Sequence, residues 1–98
     1  MDIGDYWGEI PEYIVGEKVA IDVTGNFPED GKWYTIDTIK RIMISREGIQ
    51  YEFDTAGISV WENATSGYHI LEHVDDSEYT KMELEKDGYK YVQAYQIY

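Results

Sequence analysis

Cysteine is absent from the 98-residue chain, which excludes disulfides, thiolate metal sites and cysteine nucleophiles. The first residues, Met1 to Asp5, lack a basic stretch followed by an apolar run, so we expect no signal peptide. No apolar stretch approaches the roughly 20 residues that a membrane-spanning helix needs. We therefore expect a soluble, cytoplasmic protein that has no membrane partner.

Basic residues are also scarce. Eight Lys and Arg face twenty Asp and Glu, which gives a formal net charge of -12 at pH 7. Direct binding to nucleic acid is disfavoured, because attraction to phosphate normally dominates that affinity. A basic partner is favoured, since the field of an acidic protein steers such a partner toward it. The alternative is that the acidity serves only solubility.

The acidity is concentrated at the two ends of the chain. Residues 1–17 hold five acids and no base, and residues 55–98 hold eight acids and three bases. The middle, residues 18–54, holds seven acids and five bases. This distribution predicts that the binding surface lies at the ends and that the middle is a scaffold.

Alternating apolar residues predict a mainly β fold. Residues 18–23 read as a strand with one face buried and one face in water. Residues 33–45 form a long β-branched segment, and a change of parity near Asp37-Thr38 indicates a bulge or bend. Residues 39–54 predict a hairpin that has Gly48 where its turn needs a positive φ. Two further short strands are predicted at residues 58–62 and 68–74.

The N-terminal segment, residues 1–16, is rich in aromatic residues. It reads as an ordered arm that packs these rings on the body of the protein. Pro11 argues against one continuous helix there, because proline lacks a backbone donor and clashes with the preceding turn.

The C-terminal segment, residues 75–98, allows two interpretations. Asp87-Gly88 is a dipeptide typical of hairpin turns, and it lies between two stretches in which apolar or aromatic residues alternate with polar ones. We therefore predict a C-terminal β-hairpin. The alternative is a helix that is capped by Asp76 or Ser77 and ended by Gly88.

The run Val15-Gly16-Glu17-Lys18-Val19-Ala20-Ile21-Asp22 resembles the opening strand of SH3-like small barrels. In those barrels a loop and a strongly bent hairpin follow, and here Gly48-Ile49-Gln50-Tyr51 stands at the hairpin turn. The resemblance covers residues 14–63. It implies an SH3-like barrel of about five strands over residues 17–74, inside a single domain spanning residues 1–98. Such short acidic domains are frequent in phage and mobile-element proteins, for which the host cytoplasm is the expected location.

Size and charge also resemble those of anti-CRISPR and anti-restriction proteins, which is an analogy of class. No ligand-binding residue follows from either resemblance.

The sequence offers little for catalysis, metals or cofactors. His69 and His73 are the only imidazoles, and on one strand they stand roughly 13 Å apart, too far for a shared metal. Residues 25–32 depart from a phosphate-binding loop in glycine spacing, and the residue that follows them is Trp33 instead of Ser or Thr. A domain this small rarely has a deep cleft. We therefore predict no enzyme, no catalytic residue, no metal and no cofactor.

The tyrosines point to a binding surface. Ten tyrosines in 98 residues exceed what a small core absorbs, and tyrosine offers rigid contact area with a polar tip. Carboxylates beside them would complement Arg and Lys on a partner. The alternative is that these tyrosines simply pack on the fold. The predicted partner-binding residues are Asp75, Asp76, Glu78, Glu83, Glu85, Asp87, Tyr89, Tyr91 and Tyr95.

Two functions follow as hypotheses. The first is an inhibitor that occupies the nucleic-acid site of a basic protein, possible targets being nucleases and other nucleic-acid enzymes. The second is an SH3-like adaptor that binds a peptide or subunit through exposed Trp33, Trp61 and Tyr51. Binding by charge mimicry weakens steeply with salt, whereas aromatic docking does not. In either case the protein is expected to be a monomer or a weak homodimer formed through an open strand edge.

Overall fold

A computed structural model describes residues 10–27, 29, 31–64 and 67–98. Residues 1–9, which form most of the predicted arm and carry Asp2, Asp5, Tyr6, Trp7 and Glu9, lie outside the described part. The described elements, in chain order, are β1 (Lys18–Asp22), β2 (Lys32–Ser45), β3 (Gly48–Phe53), β4 (Ser59–Trp61), β5 (His69–His73), helix α1 (Ser77–Lys86) and β6 (Tyr89–Tyr91). Short 3-10 turns occur at Thr24–Asn26 and Ala94–Gln96.

The mainly β prediction is confirmed. Five strands pair antiparallel in the order β4-β3-β2-β1-β5, and β6 pairs with β2 in parallel. The long β2 pairs with β1 and β6 near its start and with β3 farther along. Among the described strands the sheet is not closed, so a complete SH3-like barrel stays a prediction.

The predicted hairpin is present as β2 and β3. Its turn consists of Arg46 and Glu47. Gly48 follows with a φ of +129°, a backbone conformation that residues with a Cβ rarely adopt. Ile49 and Tyr51 alternate inward along β3 as the parity predicts. The irregularity predicted near Asp37-Thr38 lies slightly farther along, where the β2–β3 register shifts between Ile39 and Arg41.

The prediction that one face of β1 is exposed to solvent is wrong. Ala20 has no exposed surface and Asp22 is only 7% exposed, although both point away from Val19 and Ile21. Ala20 lies in a small helix-side core with Tyr34, Val74 and Leu84. The face of β1 that carries Ala20 and Asp22 is therefore buried, because the chain after β5 returns over it.

The main core lies on the opposite side of the sheet. Its buried members come from β1 and the residue after it, β2, β3, the turn after β3, β4 and the segment after β6, and they are Val19, Ile21, Val23, Ile39, Ile49, Tyr51, Phe53, Ala56, Val60, Val92, Ala94 and Ile97. The C-terminal segment thus contributes to both cores, which makes it part of the fold and not an appendage.

The predicted C-terminal hairpin is wrong, and the alternative helix is correct. The Asp76 side chain accepts hydrogen bonds from the backbone N–H groups of Glu78 and Tyr79, at 3.0 and 3.3 Å. Gly88 follows the helix with a φ of +90°, as a helix-ending glycine does. A strand would have placed Met82 beside Leu84, but Met82 is 56% exposed and Leu84 is buried.

The described part of the arm contacts the body through Tyr13. Its ring meets Tyr51 edge-on at a centroid distance of 5.7 Å, and its N–H donates to the Tyr51 hydroxyl at 3.3 Å. Ile10, Ile14 and Val15 remain exposed. In the described residues, no helix has the length and apolar character needed to cross a membrane.

Candidate partner-binding site

A β-bulge in β5 builds one wall of a groove. Across the β1–β5 pair, Ala20 lies opposite Glu72 and Ile21 lies opposite Ile70, which leaves Leu71 as the extra residue. Leu71 packs on the helix-side core, and Glu72 shares the face of its partner Ala20. Two consecutive side chains therefore point toward α1, which regular alternation would not allow.

Helix α1 builds the other wall. Tyr79, Glu83 and Asp87 are spaced four residues apart, so they lie one above another on a single side of the helix and its cap. Leu84 is buried beneath them, and Tyr89 also lines the groove.

We call the space between these walls the acidic groove. Its volume is about 470 Å³, and its lining residues are Leu71, Glu72, Tyr79, Glu83, Leu84, Asp87 and Tyr89. Three of these residues carry carboxylates and the rest are apolar or aromatic. The groove therefore combines an apolar floor with an anionic rim.

Two lysines stand at the edges of the acidic groove. Lys86 Nζ lies 3.7 Å from Glu83 Oε1, in a pair whose side chains are both well exposed. Lys32 Nζ lies 4.6 Å from the ring centroid of Tyr89. Within the described residues, neither Glu72 nor Asp87 takes part in an ion pair.

The predicted carboxylates cluster on α1 and its flanks. Glu83 and Asp87 line the groove, and Glu78 and Glu85 are exposed on the helix. Asp76 caps the helix, as described above. Asp75 is 90% exposed at its side chain and accepts a hydrogen bond from His73 Nε2 at 2.6 Å.

Two of the three predicted tyrosines are held by the fold. The Tyr89 hydroxyl donates to Asp22 Oδ2 at 2.8 Å, and burial followed by this hydrogen bond raises the pKa of Tyr89 to about 12. Tyr91 packs on Tyr34 at 5.4 Å between ring centroids, and Lys81 Nζ lies 4.4 Å from its ring. Tyr95 is 66% exposed.

A second groove lies between the start of β2 and the last residues of the chain. This aromatic groove has a volume of about 610 Å³ and is lined by Phe27, Trp33, Tyr91, Val92, Gln93, Gln96 and Tyr98. The Phe27 and Trp33 rings pack at 4.8 Å between centroids. Within the described residues, the indole N–H of Trp33 has no hydrogen-bond partner.

The three aromatic residues of the adaptor hypothesis do not lie on one surface. Trp33 lines the aromatic groove, and Trp61 is 41% exposed beside Gly48. The expectation that Tyr51 is exposed is wrong, because its side chain lies in the main core. Burial, together with its hydrogen bond to Glu62, raises the pKa of Tyr51.

The two histidines have separate surroundings. His73 lies between two carboxylates, with Nδ1 2.8 Å from Glu17 Oε2 and Nε2 bonded to Asp75. These hydrogen bonds, that of Asp75 first, raise the pKa of His73 above its ordinary value of 6.5. His69 Nε2 lies 3.9 Å from Asp22 Oδ2. No group of three or more metal-binding side chains is found in the described residues.

Four residues of the acidic groove were not among the predicted ones: Leu71, Glu72, Tyr79 and Leu84. The four-residue spacing of Tyr79, Glu83 and Asp87 is visible in the sequence once α1 is taken as a helix. The bulge at Leu71 leaves no such signal. Comparison of the chain with family models, curated proteins and solved structures finds no match.

Proposed function

We propose that the protein binds a basic nucleic-acid-binding protein, such as a nuclease, and blocks the surface that this partner offers to nucleic acid. The observation that carries the proposal is the acidic groove, in which Glu72, Glu83 and Asp87 rim an apolar floor. Such a site attracts cations and repels phosphate. The net charge of -12 adds long-range attraction to a basic partner.

The negative charge around α1 supports competition with nucleic acid. Ten helical residues span about 15 Å, a length over which B-DNA carries about nine phosphate charges. Residues 72–87 hold seven carboxylates and two lysines. The helix and its flanks thus carry a net charge of -5, of the same sign as duplex DNA but less dense, since the ten helical residues themselves hold three carboxylates and two lysines.

The proposal is tested with a basic protein that the chain captures from cell lysate and that is then purified. Binding of this protein is measured against added duplex DNA and in a salt series. We expect DNA to compete, and affinity to fall about tenfold or more as ionic strength rises from roughly 0.1 to 0.5 M. Simultaneous binding of DNA and the acidic protein to the partner would refute the proposed competition.

A pair of variants places the contact. Glu78→Gln with Glu85→Gln removes two exposed charges from α1, and we expect the complex to weaken. Glu47→Gln with Asp54→Asn removes two exposed charges near the β2–β3 hairpin and serves as the control. Equal weakening by both pairs would show that net charge acts without a specific surface.

The aromatic groove supports a second candidate function, that of an adaptor for an uncharged peptide. Trp33 and its neighbouring rings offer apolar contact, and Gln93 and Gln96 offer amides for a peptide backbone. For this function we expect binding that changes by less than about twofold over the same salt range. Gln96→Ala and Tyr98→Ala would then weaken the complex, whereas Glu78→Gln with Glu85→Gln would not.

A further inference from the structure

We infer that the acidic groove receives an arginine side chain from the partner. This inference rests on the proposed function and deepens it by naming the chemical group that enters the site. An arginine fits the charge of the groove, its mixed apolar and anionic lining, and a tyrosine-rich surface that already holds cations.

The lining suits a long side chain that is apolar along its stem and cationic at its tip. Leu71 and Leu84 form the apolar floor, on which a methylene stem can lie. Glu72 stands on one wall and Glu83 on the other, so both walls offer a carboxylate to a cation that enters the groove. Because Glu72 and Asp87 form no ion pair within the described residues, a partner's cation supplies charge that the fold does not.

The tyrosines favour a planar cation. Lys32 over Tyr89 and Lys81 over Tyr91 show that rings on this side of the protein hold cations at 4.6 and 4.4 Å. Tyr79, which is 62% exposed, has no such cation among the contacts of the described residues. A guanidinium stacks on a tyrosine ring and is less strongly hydrated than an ammonium, so arginine gains more than lysine here.

Of the two lysines at the edges of the groove, Lys86 is the one paired with a lining carboxylate, and this pair does not block entry. Lys86 Nζ and Glu83 Oε1 form an exposed ion pair at 3.7 Å on the helix, and such surface ion pairs contribute little to stability. An arginine that donates two parallel hydrogen bonds to a carboxylate replaces this contact with a stronger one.

The test uses the peptide acetyl-Gly-Arg-Gly-Arg-Gly-amide as a probe, with the lysine and citrulline versions as matched peptides. Amide chemical shifts of the protein are followed by NMR during titration. We expect the arginine peptide to shift residues 71, 72, 83 and 84, to bind at least about threefold tighter than the lysine peptide, and to lose binding when citrulline removes the charge. Equal binding of all three peptides, or shifts that avoid these residues, would overturn the inference.

Variants keep the test specific to the groove. Glu72→Gln with Glu83→Gln is expected to weaken the arginine peptide about tenfold. Glu47→Gln with Asp54→Asn changes the charge equally and is expected to change binding by less than about twofold. Circular dichroism of each variant establishes that α1 is intact. Equal weakening by the two pairs would reject the groove as the site.

The inference and the proposed function fail in different ways. If the basic partner binds and competes with DNA but the Glu72 and Glu83 pair of substitutions leaves its affinity unchanged, the arginine site is wrong and the function stands. If the arginine peptide binds at the groove while DNA and the acidic protein occupy the partner together, the proposed inhibition is wrong and the arginine site stands.

Discussion

The hydroxyl of Tyr89 donates a hydrogen bond to Asp22 Oδ2 at 2.8 Å, across 67 positions of the sequence. Asp22 is 7% exposed, and its Oδ1 accepts the N–H of Thr24 at 2.9 Å. A carboxylate this buried needs such donors to offset its lost hydration. The contact therefore ties the chain after α1 to the central strand β1.

Replacing Tyr89 with phenylalanine should destabilise the fold. The substitution leaves Asp22 without one donor, and hydrogen bonds to charged groups are worth about 2 kcal/mol. Urea unfolding measures the loss in the free energy of unfolding. Tyr95→Phe is the control, since Tyr95 is 66% exposed, and we expect it to change stability by less than about 0.5 kcal/mol. Equal stability of the two variants would contradict the structural role of Tyr89.

Alkaline pH should destabilise the folded protein. The pKa of Tyr34 is raised to about 12 by burial first and by Glu85 next, and that of Tyr89 is also about 12. Below pH 10 both phenols are neutral whether the chain is folded or unfolded. Between pH 10 and 12 the unfolded chain releases these protons first, so stability falls as pH rises through this window.

Unfolding in urea across this pH range, with phenolate absorbance as a second signal, measures the effect. Tyr89→Phe should flatten the slope, because it removes one of the shifted groups. A free energy of unfolding that stays constant from pH 10 to 12 would contradict the raised pKa values.

His73 should titrate above 6.5, because Glu17 and Asp75 both hold its protonated form. Its contribution to stability is complete below pH 6.5 and is lost as pH rises through the raised pKa. An NMR titration of the ring protons measures this pKa. Glu17→Gln should lower the pKa of His73 and leave the protein folded. A His73 pKa at or below 6.5 in the unsubstituted protein would contradict these contacts.

A side chain at position 57 should crowd the end of the chain. The Gly57 N–H donates to Ile97 O at 2.7 Å, and an added Cβ would lie 3.3 Å from Tyr98 Cα. We expect Gly57→Ala to loosen the end of the chain and to cost about 1 kcal/mol of stability. Gly25→Ala is the matched control, since its Cβ would meet the Tyr68 ring at an ordinary 3.6 Å. Equal melting temperatures for the two variants would refute the tight approach.

Thr35→Val should leave stability unchanged or raise it by up to about 1 kcal/mol. Thr35 is fully buried in β2, and its hydroxyl has no hydrogen-bond partner in the described part of the chain. Thr24→Val provides the contrast, because the Thr24 hydroxyl accepts the N–H of Trp33 at 3.1 Å. Thr24→Val should therefore have the lower melting temperature in thermal unfolding. A large loss of stability in Thr35→Val would show that the Thr35 hydroxyl has a hydrogen-bond partner.

Local sequence rules predicted the strands and their hairpin well. The alternation in residues 49–53 needs only one buried face, and the positive φ of Gly48 is a property of the turn itself. The same rules failed for residues 77–86, where the inward positions Thr80 and Leu84 satisfy both a strand parity and a helical spacing of four. Asp76 and Gly88, which act as caps, are also common in turns, so they did not separate the two structures.

The candidate site was predicted only in part. Glu83, Asp87 and Tyr89 were predicted as partner-binding residues and line the acidic groove. Leu71 and Glu72 were missed because a bulge depends on how β5 pairs with β1, which lies about 50 residues away. Tyr91 was predicted as a contact residue, yet its ring lies half-buried against Tyr34.

Composition and spacing along the chain are enough to establish the acidity, its excess at the two ends and the mainly β character. The helix at residues 77–86 over the second face of β1 follows from long-range packing, because the choice between helix and strand depends on which distant apolar surface is covered. The same packing joined carboxylates from β5 and α1 around one groove, a relationship that no local pattern encodes.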